Sequence, residues 1–408
     1  MMNASISPPT PEPLPYHTAI VQYLQAEEPG LWKWFASTRK REEGADTVRL
    51  DLLKSTYRLE SALHPNLYET AKEICARMGL NCTLTFYQAQ SGNALNAALA
   101  YLPGEAHVIL AGPLAEALSP QELRAVLAHE LAHFHLFDAW QGDYFLAAEL
   151  LRSLSADVSA GPAYFESARL YSLWTEAYAD RWACHLCGDV TAAISALIKI
   201  ETGLSEVSAE SYLRQADEIF AKSRVQTNQV THPESYIRAR ALKLWAEQGD
   251  SAQDEIERMI EGPLHMGQLD LLGQKKLAER TRDFLQTLLA PAWFHTEPVL
   301  GHAKRFFPDF EPNGATTGET SLKGELTNGD PSMRDYFCYL MLDFVTVDRD
   351  LSEVALAAAL VLSRRLGLKE RFAELVQQEL SLGKKAFAKI DKDAESLLAR
   401  TEAAAQTP

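Results

Sequence analysis

The chain has 408 residues, 47% of them hydrophobic and 23% charged, and carries a formal net charge of -16. That acidity argues against a nucleic-acid partner, and no run of about 18 or more apolar residues offers an integral membrane segment. Five cysteines at irregular spacing do not make a disulfide framework, so a reducing, cytoplasmic setting is expected.

Met1 to Leu14 is polar and proline-rich, with no basic start and no apolar core. It reads as a disordered N-terminus, not a secretory signal. Residues 15–60 read as a charged helical lead-in to a first domain over 15–250, whose core spans 60–245. Asn66 to Met78 has helical periodicity, and Gly79 closes it. Cys82 to Tyr87 alternates and is rich in strand formers, and Leu99 to Leu102 and Val108 to Leu110 are further short strands. A small sheet above the next helix would offer its edge to an extended peptide.

From 119 to 247 the chain reads helical. Ser119 can cap a helix, Pro120 suits its first position, and Glu122 completes a capping box. This helix carries His129-Glu130-Leu131-Ala132-His133, an HExxH motif. Its two histidines lie one turn apart on one face, with a carboxylate directly after the first, as a catalytic zinc requires. The plainer reading is an amphipathic helix with exposed or satisfied histidines. His135 lies two residues past His133 and faces away from that side. Ser153 to Pro162 breaks the helical pattern and reads as a mobile loop over a cleft.

The next helical segment carries Glu176 and Asp180, four residues apart and so on one face. One can bind a metal while the other accepts the proton of a ligand histidine's second nitrogen. Their neighbours Trp174, Ala177, Tyr178, Ala179 and Trp182 predict burial, and buried carboxylates are rarely unpaired. Cys184-His-Leu-Cys187 has no second CxxC to complete a structural zinc site and reads as thiols packed on this helix.

HExxH followed by ExxxD on a later helix resembles the gluzincin peptidases. The surrounding words are similar to the HtpX-like and CAAX-prenyl-protease group of zinc metallopeptidases. Arg124 to His133, Asp138 five residues later, Glu176-Ala-Tyr-Ala-Asp180-Arg181, and Thr231-His232-Pro233 with Arg238 carry the likeness. So do Asn93-Ala-Leu-Asn96-Ala and His107 to Leu110 upstream. The resemblance implies one zinc ion per chain, held by His129, His133 and Glu176 with a position left for water. Glu130 would be the general base, Asp180 would orient His129, and His232 would donate to the developing oxyanion. Arg238 and Asp138 would support the ligands from behind. Many relatives sit in membranes; the absence of an apolar span here removes that setting.

The remaining residues, 251–400, read as an all-helical domain with a tail at 401–408. Gly267 to Leu289 and Tyr336 to Leu380 are amphipathic, and Phe306 to Met333 reads as a long loop. Residues 334–380 resemble a TerB-like (tellurite-resistance-type) helical module, which implies a regulatory or docking role. Asp343, Asp348, Asp350 and Glu353 could bind a divalent cation but lack EF-hand spacing; an acidic helix start is the plainer reading.

The fold expected is therefore α+β, mainly α-helical: a gluzincin-type domain with a small sheet, then an all-α domain. The activity expected is zinc-dependent hydrolysis of peptide bonds in a peptide or protein substrate. The alternative is a catalytically silent scaffold or binding protein acting through its C-terminal helices.

Overall fold

The computed structural model describes residues 11–38, 43–90, 92, 94–222, 226–314 and 319–405. Asn93 and the first ten residues lie outside this set. Contacts divide the chain into two compact units, Met1–Gly262 and Pro263–Pro408. The fold is mainly helical with one small mixed sheet.

The first unit opens with α1 (Pro15–Glu27), α2 (Pro29–Thr38), α3 (Glu43–Ser55) and the short strand β1 (Thr56–Leu59). Then come α4 (Pro65–Met78), β2 (Thr83–Ala89), β3 (Asn96–Leu102), β4 (Glu105–Ala111) and α5 (Leu114–Ala117). Gly79 ends α4 at φ 71, a left-handed cap that suits glycine. Six helices follow: α6 (Pro120–Asp138), α7 (Asp143–Ser155), α8 (Pro162–Cys187), α9 (Val190–Thr202), α10 (Ala209–Lys222) and α11 (Ser235–Gln248). The short α12 (Gln253–Ile260) closes the unit.

The sheet order is β1-β2-β4-β3. The β2–β4 pair is parallel and the outer pairs are antiparallel, so β3 keeps one edge unpaired within the sheet. Strand β1 lies inside the stretch expected to be helical. Its two buried residues, Thr56 and Leu59, are three apart and mimic helical spacing. Only pairing with β2 makes it a strand.

Helix α8 is the axis of this unit. From Leu173 to Ala183 nearly every residue is buried on every face, including Trp174, Tyr178 and Trp182. A helix without a polar side must be enclosed by neighbours. Helices α1, α6, α7, α9, α11 and α12 surround it. Helix α1 contributes His17, which is wholly buried among Tyr144, Tyr171 and Tyr178. The Thr175 hydroxyl donates to the Tyr171 carbonyl at 2.8 Å, so it accepts from His17 Nε2 at 3.3 Å. Pro11 to Leu14, expected to be disordered, are placed in the structure, and Leu14 is buried.

Burial pushes the His17 imidazole down to about 3 from the usual 6.5. The unfolded chain therefore binds a proton in this window that the folded chain refuses. Stability falls as pH drops from about 6.5 toward 3, by roughly 2–3 kcal/mol at about pH 4.5. His17→Gln keeps a donor for Thr175 and cannot titrate there. Urea unfolding at pH 7 and 4.5 should show a smaller acid loss in the variant. Equal losses would remove His17 as the cause.

The second unit contains α13 (Leu271–Leu288), α14 (Glu297–Phe306), α15 (Glu319–Asn328), α16 (Pro331–Thr346), α17 (Ser352–Arg365), α18 (Lys369–Glu379) and α19 (Lys384–Ala405). Its core gathers Phe284, Phe337, Phe344, Leu360 and Phe372. Two expectations need correction. The stretch 306–333 is not all loop: α15 lies within it and buries Leu322 and Leu326 against this core. Nor is 401–408 a separate tail, because α19 runs to Ala405. Asp343, Asp348, Asp350 and Glu353 form no metal-competent cluster among the described residues. Asp348 instead caps the turn before α17, accepting from Asp350 N at 3.0 Å and Thr296 Oγ1 at 2.7 Å.

Candidate metal centre

Helix α6 starts as its sequence implies. Ser119 Oγ accepts from the Glu122 amide at 3.3 Å, and Glu122 Oε2 accepts from the Ser119 amide at 2.7 Å. Lys199 Nζ adds an ion pair to Glu122 at 2.8 Å, tying the start of α6 to α9. The helix then presents His129 and His133 to one cleft, with ring centroids 4.9 Å apart and an interplanar angle of 84°.

Helix α8 packs along α6 and delivers two carboxylates to opposite nitrogens of one ring. Asp180 Oδ1 lies 3.0 Å from His129 Nδ1. Glu176 Oε2 lies 3.3 Å from His129 Nε2, and Glu176 Oε1 lies 3.5 Å from His133 Nε2. The two Nε2 atoms face each other at 3.2 Å. With Nδ1–H of neutral His129 directed at Asp180, its Nε2 keeps a lone pair.

These atoms suit a cation. One donor atom from each of His129, His133 and Glu176 lies within 4.8 Å of the others, and this is the one such cluster among the described residues. Two nitrogens and a carboxylate oxygen form a zinc donor set. Glu176 Oε2 is buried and makes no hydrogen bond of ordinary geometry; it faces His129 Nε2 at 3.3 Å and the Arg238 guanidinium at 3.7 Å. The charges agree. Glu176 and Asp180 are both held ionised, Asp180 at about 2. Burial opposes that ionisation, and Arg238 and His129 outweigh it for Asp180. Two carboxylates face one guanidinium; in the absence of metal a protonated His129 supplies the balancing positive charge, which a cation bound at its Nε2 would replace. In the absence of metal, His129 rises to about 10 because Asp180 and Glu176 overcome its burial, while burial sends His133 down to about 4.

Glu130 is buried and lines the same cleft without touching the two ligand nitrogens. Burial lifts its carboxyl to about 7, with Glu176 adding to the rise and His129 and Arg238 opposing it. A carboxyl near neutrality can both take and return a proton. Arg238, on α11, donates to Asp180 twice, from Nε at 2.8 Å and Nη2 at 2.7 Å. Its Nη2 also lies 3.7 Å from Glu176 Oε2. His232, just before α11, places Nε2 3.5 Å from Glu176 Oε1 with 57% of its side chain exposed.

Not every residue picked out in the sequence converges here. Asp138 is exposed at the end of α6 and accepts from Tyr101 OH at 3.2 Å, which ties α6 to the edge strand β3. Five residues beyond His133 places it more than a turn away, too far to support the ligands. His135 does face away, with Nδ1 2.7 Å from Tyr178 OH and its ring against Trp182. The Cys184 and Cys187 sulfurs are directed at the backbone carbonyls of Leu242 and Gln121. Among the described side chains of residues 153–162 none lines the cleft; α7 runs to Ser155, and a short 3-10 turn leads to α8.

The cleft has a volume of about 820 Å³ and runs from Asn96–Leu99 on β3, past the histidines, to α9 and α11. The α9 wall was missed from the sequence. Its signal was present as Ala193, Ala196, Leu197 and Ile200, which share one helical face. No helix among the described residues is long and apolar enough to cross a membrane. Residues 61–246 match the family model of peptidase family M48. That span runs from just before α4 into α11 and takes in both histidines, Glu176, Asp180 and Arg238. No curated protein matches the chain.

Proposed function

We propose that this chain is a zinc metalloendopeptidase that holds one zinc ion through His129, His133 and Glu176. The observation that carries the reading is the convergence of one donor atom each from His129, His133 and Glu176 within 4.8 Å of one another. The match of the surrounding segment to peptidase family M48 supports it. Within that family the words around His129, Glu176 and His232 favour the HtpX-like and CAAX-prenyl-protease branch.

Zinc bound there supplies Lewis acidity toward a water and the scissile carbonyl. The protein does the rest. Glu130, one residue from a ligand, takes a proton from the attacking water and returns it to the leaving amine nitrogen. Asp180 accepts from His129 Nδ1, which fixes the ring and strengthens it as a donor. Arg238 holds Asp180 in place. His232, exposed just before α11 with Nε2 3.5 Å from Glu176 Oε1, donates to the developing oxyanion. The free edge of β3 lies along the cleft and can pair with an extended peptide. The substrate is a peptide or protein segment, and five free cysteines fit a reducing, cytoplasmic setting. In the second unit we read 334–380 as the TerB-like docking or regulatory module.

The test is direct: bound metal is measured on the purified protein and cleavage of casein is followed. Stoichiometric zinc with casein hydrolysis is expected. Glu176→Ala should lose the metal itself, read as zinc content below about one tenth per chain after dialysis. Retained zinc would mean that another group is the third ligand.

A further inference from the structure

His232 keeps 57% of its side chain exposed, so packing does not hold its ring against the cleft. Its backbone is held instead. Ser172 Oγ donates at 3.1 Å to the Thr231 carbonyl, which belongs to the peptide bond leading into His232. Two residues earlier, Arg169 Nη1 donates to the Gln229 carbonyl at 3.0 Å. Arg169 is itself fixed, because its Nε and Nη2 donate to Glu166 at 2.9 and 2.6 Å. Ser172 and Arg169 stand roughly one and two turns before Glu176 on α8. One helix therefore places both the candidate metal ligand and the loop that carries His232. The ring is held as well, since Thr231 Oγ1 lies 2.9 Å from His232 Nδ1. On its other side Nε2 faces Glu176 Oε1 at 3.5 Å. A carboxylate oxygen only accepts, so the proton of the neutral imidazole belongs on Nε2, and Nδ1 accepts from the Thr231 hydroxyl. Gln229 and Thr231 are exposed, where water would satisfy the same groups, so these bonds add little to stability. Their consequence is positional.

We propose that Ser172 and Thr231 are positioning residues for the oxyanion step. Ser172 fixes the main chain from which His232 projects, and Thr231 turns the ring so that Nε2–H points into the cleft. Neither touches the reacting atoms. Both act through His232, and each matters only while the imidazole is there. The oxyanion forms as the water oxygen adds to the scissile carbonyl, and a donor already aimed at it needs no reorganisation at that moment. The inference rests on the metallopeptidase reading and on the oxyanion role of His232, and deepens both.

The test is a double-variant cycle on the zinc-loaded full chain. It is read as kcat and KM for a quenched fluorescent peptide built on a mapped casein cleavage site. It is also read as affinity for the matching peptidyl phosphonate, whose tetrahedral oxygens take the place of the oxyanion. His232→Ala should lower kcat by about 10²-fold. Ser172→Ala and Thr231→Val should each lower it by about ten-fold, as a slightly misplaced donor does, with KM and zinc content unchanged. Phosphonate affinity should fall by the same factors. Thr231→Ser keeps the hydroxyl and should restore most of the loss. In the His232→Ala background neither substitution should lower kcat further. A merely structural contribution would lower activity equally with and without the histidine. Losses that multiply in the double variants would therefore overturn the inference, as would full kcat in both single variants. Those outcomes leave the metallopeptidase reading standing. A wild type that binds no zinc or cleaves nothing removes that reading, and a His232→Ala variant with full kcat removes the oxyanion role; either takes this inference with it.

Discussion

Replacing Glu130 by Gln is expected to lower peptide hydrolysis by about 10²–10⁴-fold, with zinc content unchanged. Glutamine has nearly the same shape and stays hydrogen-bond competent, but it cannot take a proton from water. The buried position of Glu130 makes the substitution gentle on the fold, because an uncharged amide replaces a carboxyl that burial already drives toward its neutral form at about 7. The acid limb of the pH–rate profile in the native chain should follow this group, with activity rising as pH increases. It should lie at a pH below the metal-free value of about 7, because a zinc ion beside the carboxyl favours its ionised form. Zinc analysis and casein hydrolysis on both proteins check the prediction. Undiminished cleavage by the variant would take Glu130 out of the mechanism. Equal inactivity of both proteins, with zinc bound, would favour a scaffold that has kept its metal.

Replacing Arg238 by Met should destabilise the first unit by about 3–5 kcal/mol, the cost of leaving a buried charge unpaired. Asp180 is enclosed by α6, α8 and α11 and receives both hydrogen bonds of the Arg238 guanidinium. Without that partner its charge faces only His129. The double variant Asp180→Asn, Arg238→Met removes both charges and should recover a large part of the loss. Chemical unfolding of the single and double variants checks this, and additive losses would argue that the two residues act independently. The sign of the pH effect follows from Asp180, whose folded value of about 2 lies below its usual 3.8. The stabilisation it contributes is complete above about pH 3.8 and is lost as pH falls toward 2. In Arg238→Met the loss should start at a higher pH, because burial then acts on the carboxyl with less opposition.

Much of the centre was legible because it is local. A capping box from Ser119 to Glu122 and an HExxH motif depend only on residues within one or two turns, and helix geometry alone places His129 and His133 side by side. The apolar surroundings of Glu176 and Asp180 announced their burial for the same reason. What the local pattern left open was the division of labour between the two carboxylates. Both lie on one face of α8, and spacing does not distinguish a ligand from a supporter. The packing of α8 along α6 decides it, setting Glu176 against the Nε2 side of the rings and Asp180 against Nδ1 of His129. Arg238 reaches Asp180 from a helix 58 residues further on, a relation that only the tertiary structure creates.

The errors share that cause. Strand β1 has no periodicity of its own and exists because β2 offers a partner. Helix α15 sits in a stretch of turn-forming residues and is held by Leu322 and Leu326 against a core assembled from distant helices. Asp138 follows the histidines closely in sequence, yet the end of α6 carries it to Tyr101 on β3. The sequence by itself determined the donor types, their helical spacing and the acidic, span-free character of the chain. The tertiary structure decided which carboxylate joins the two Nε2 atoms and which cation neutralises the other. Hydrogen-bonded helix geometry is set within a few residues, whereas the meeting of helices is set by burial of surfaces far apart in the chain.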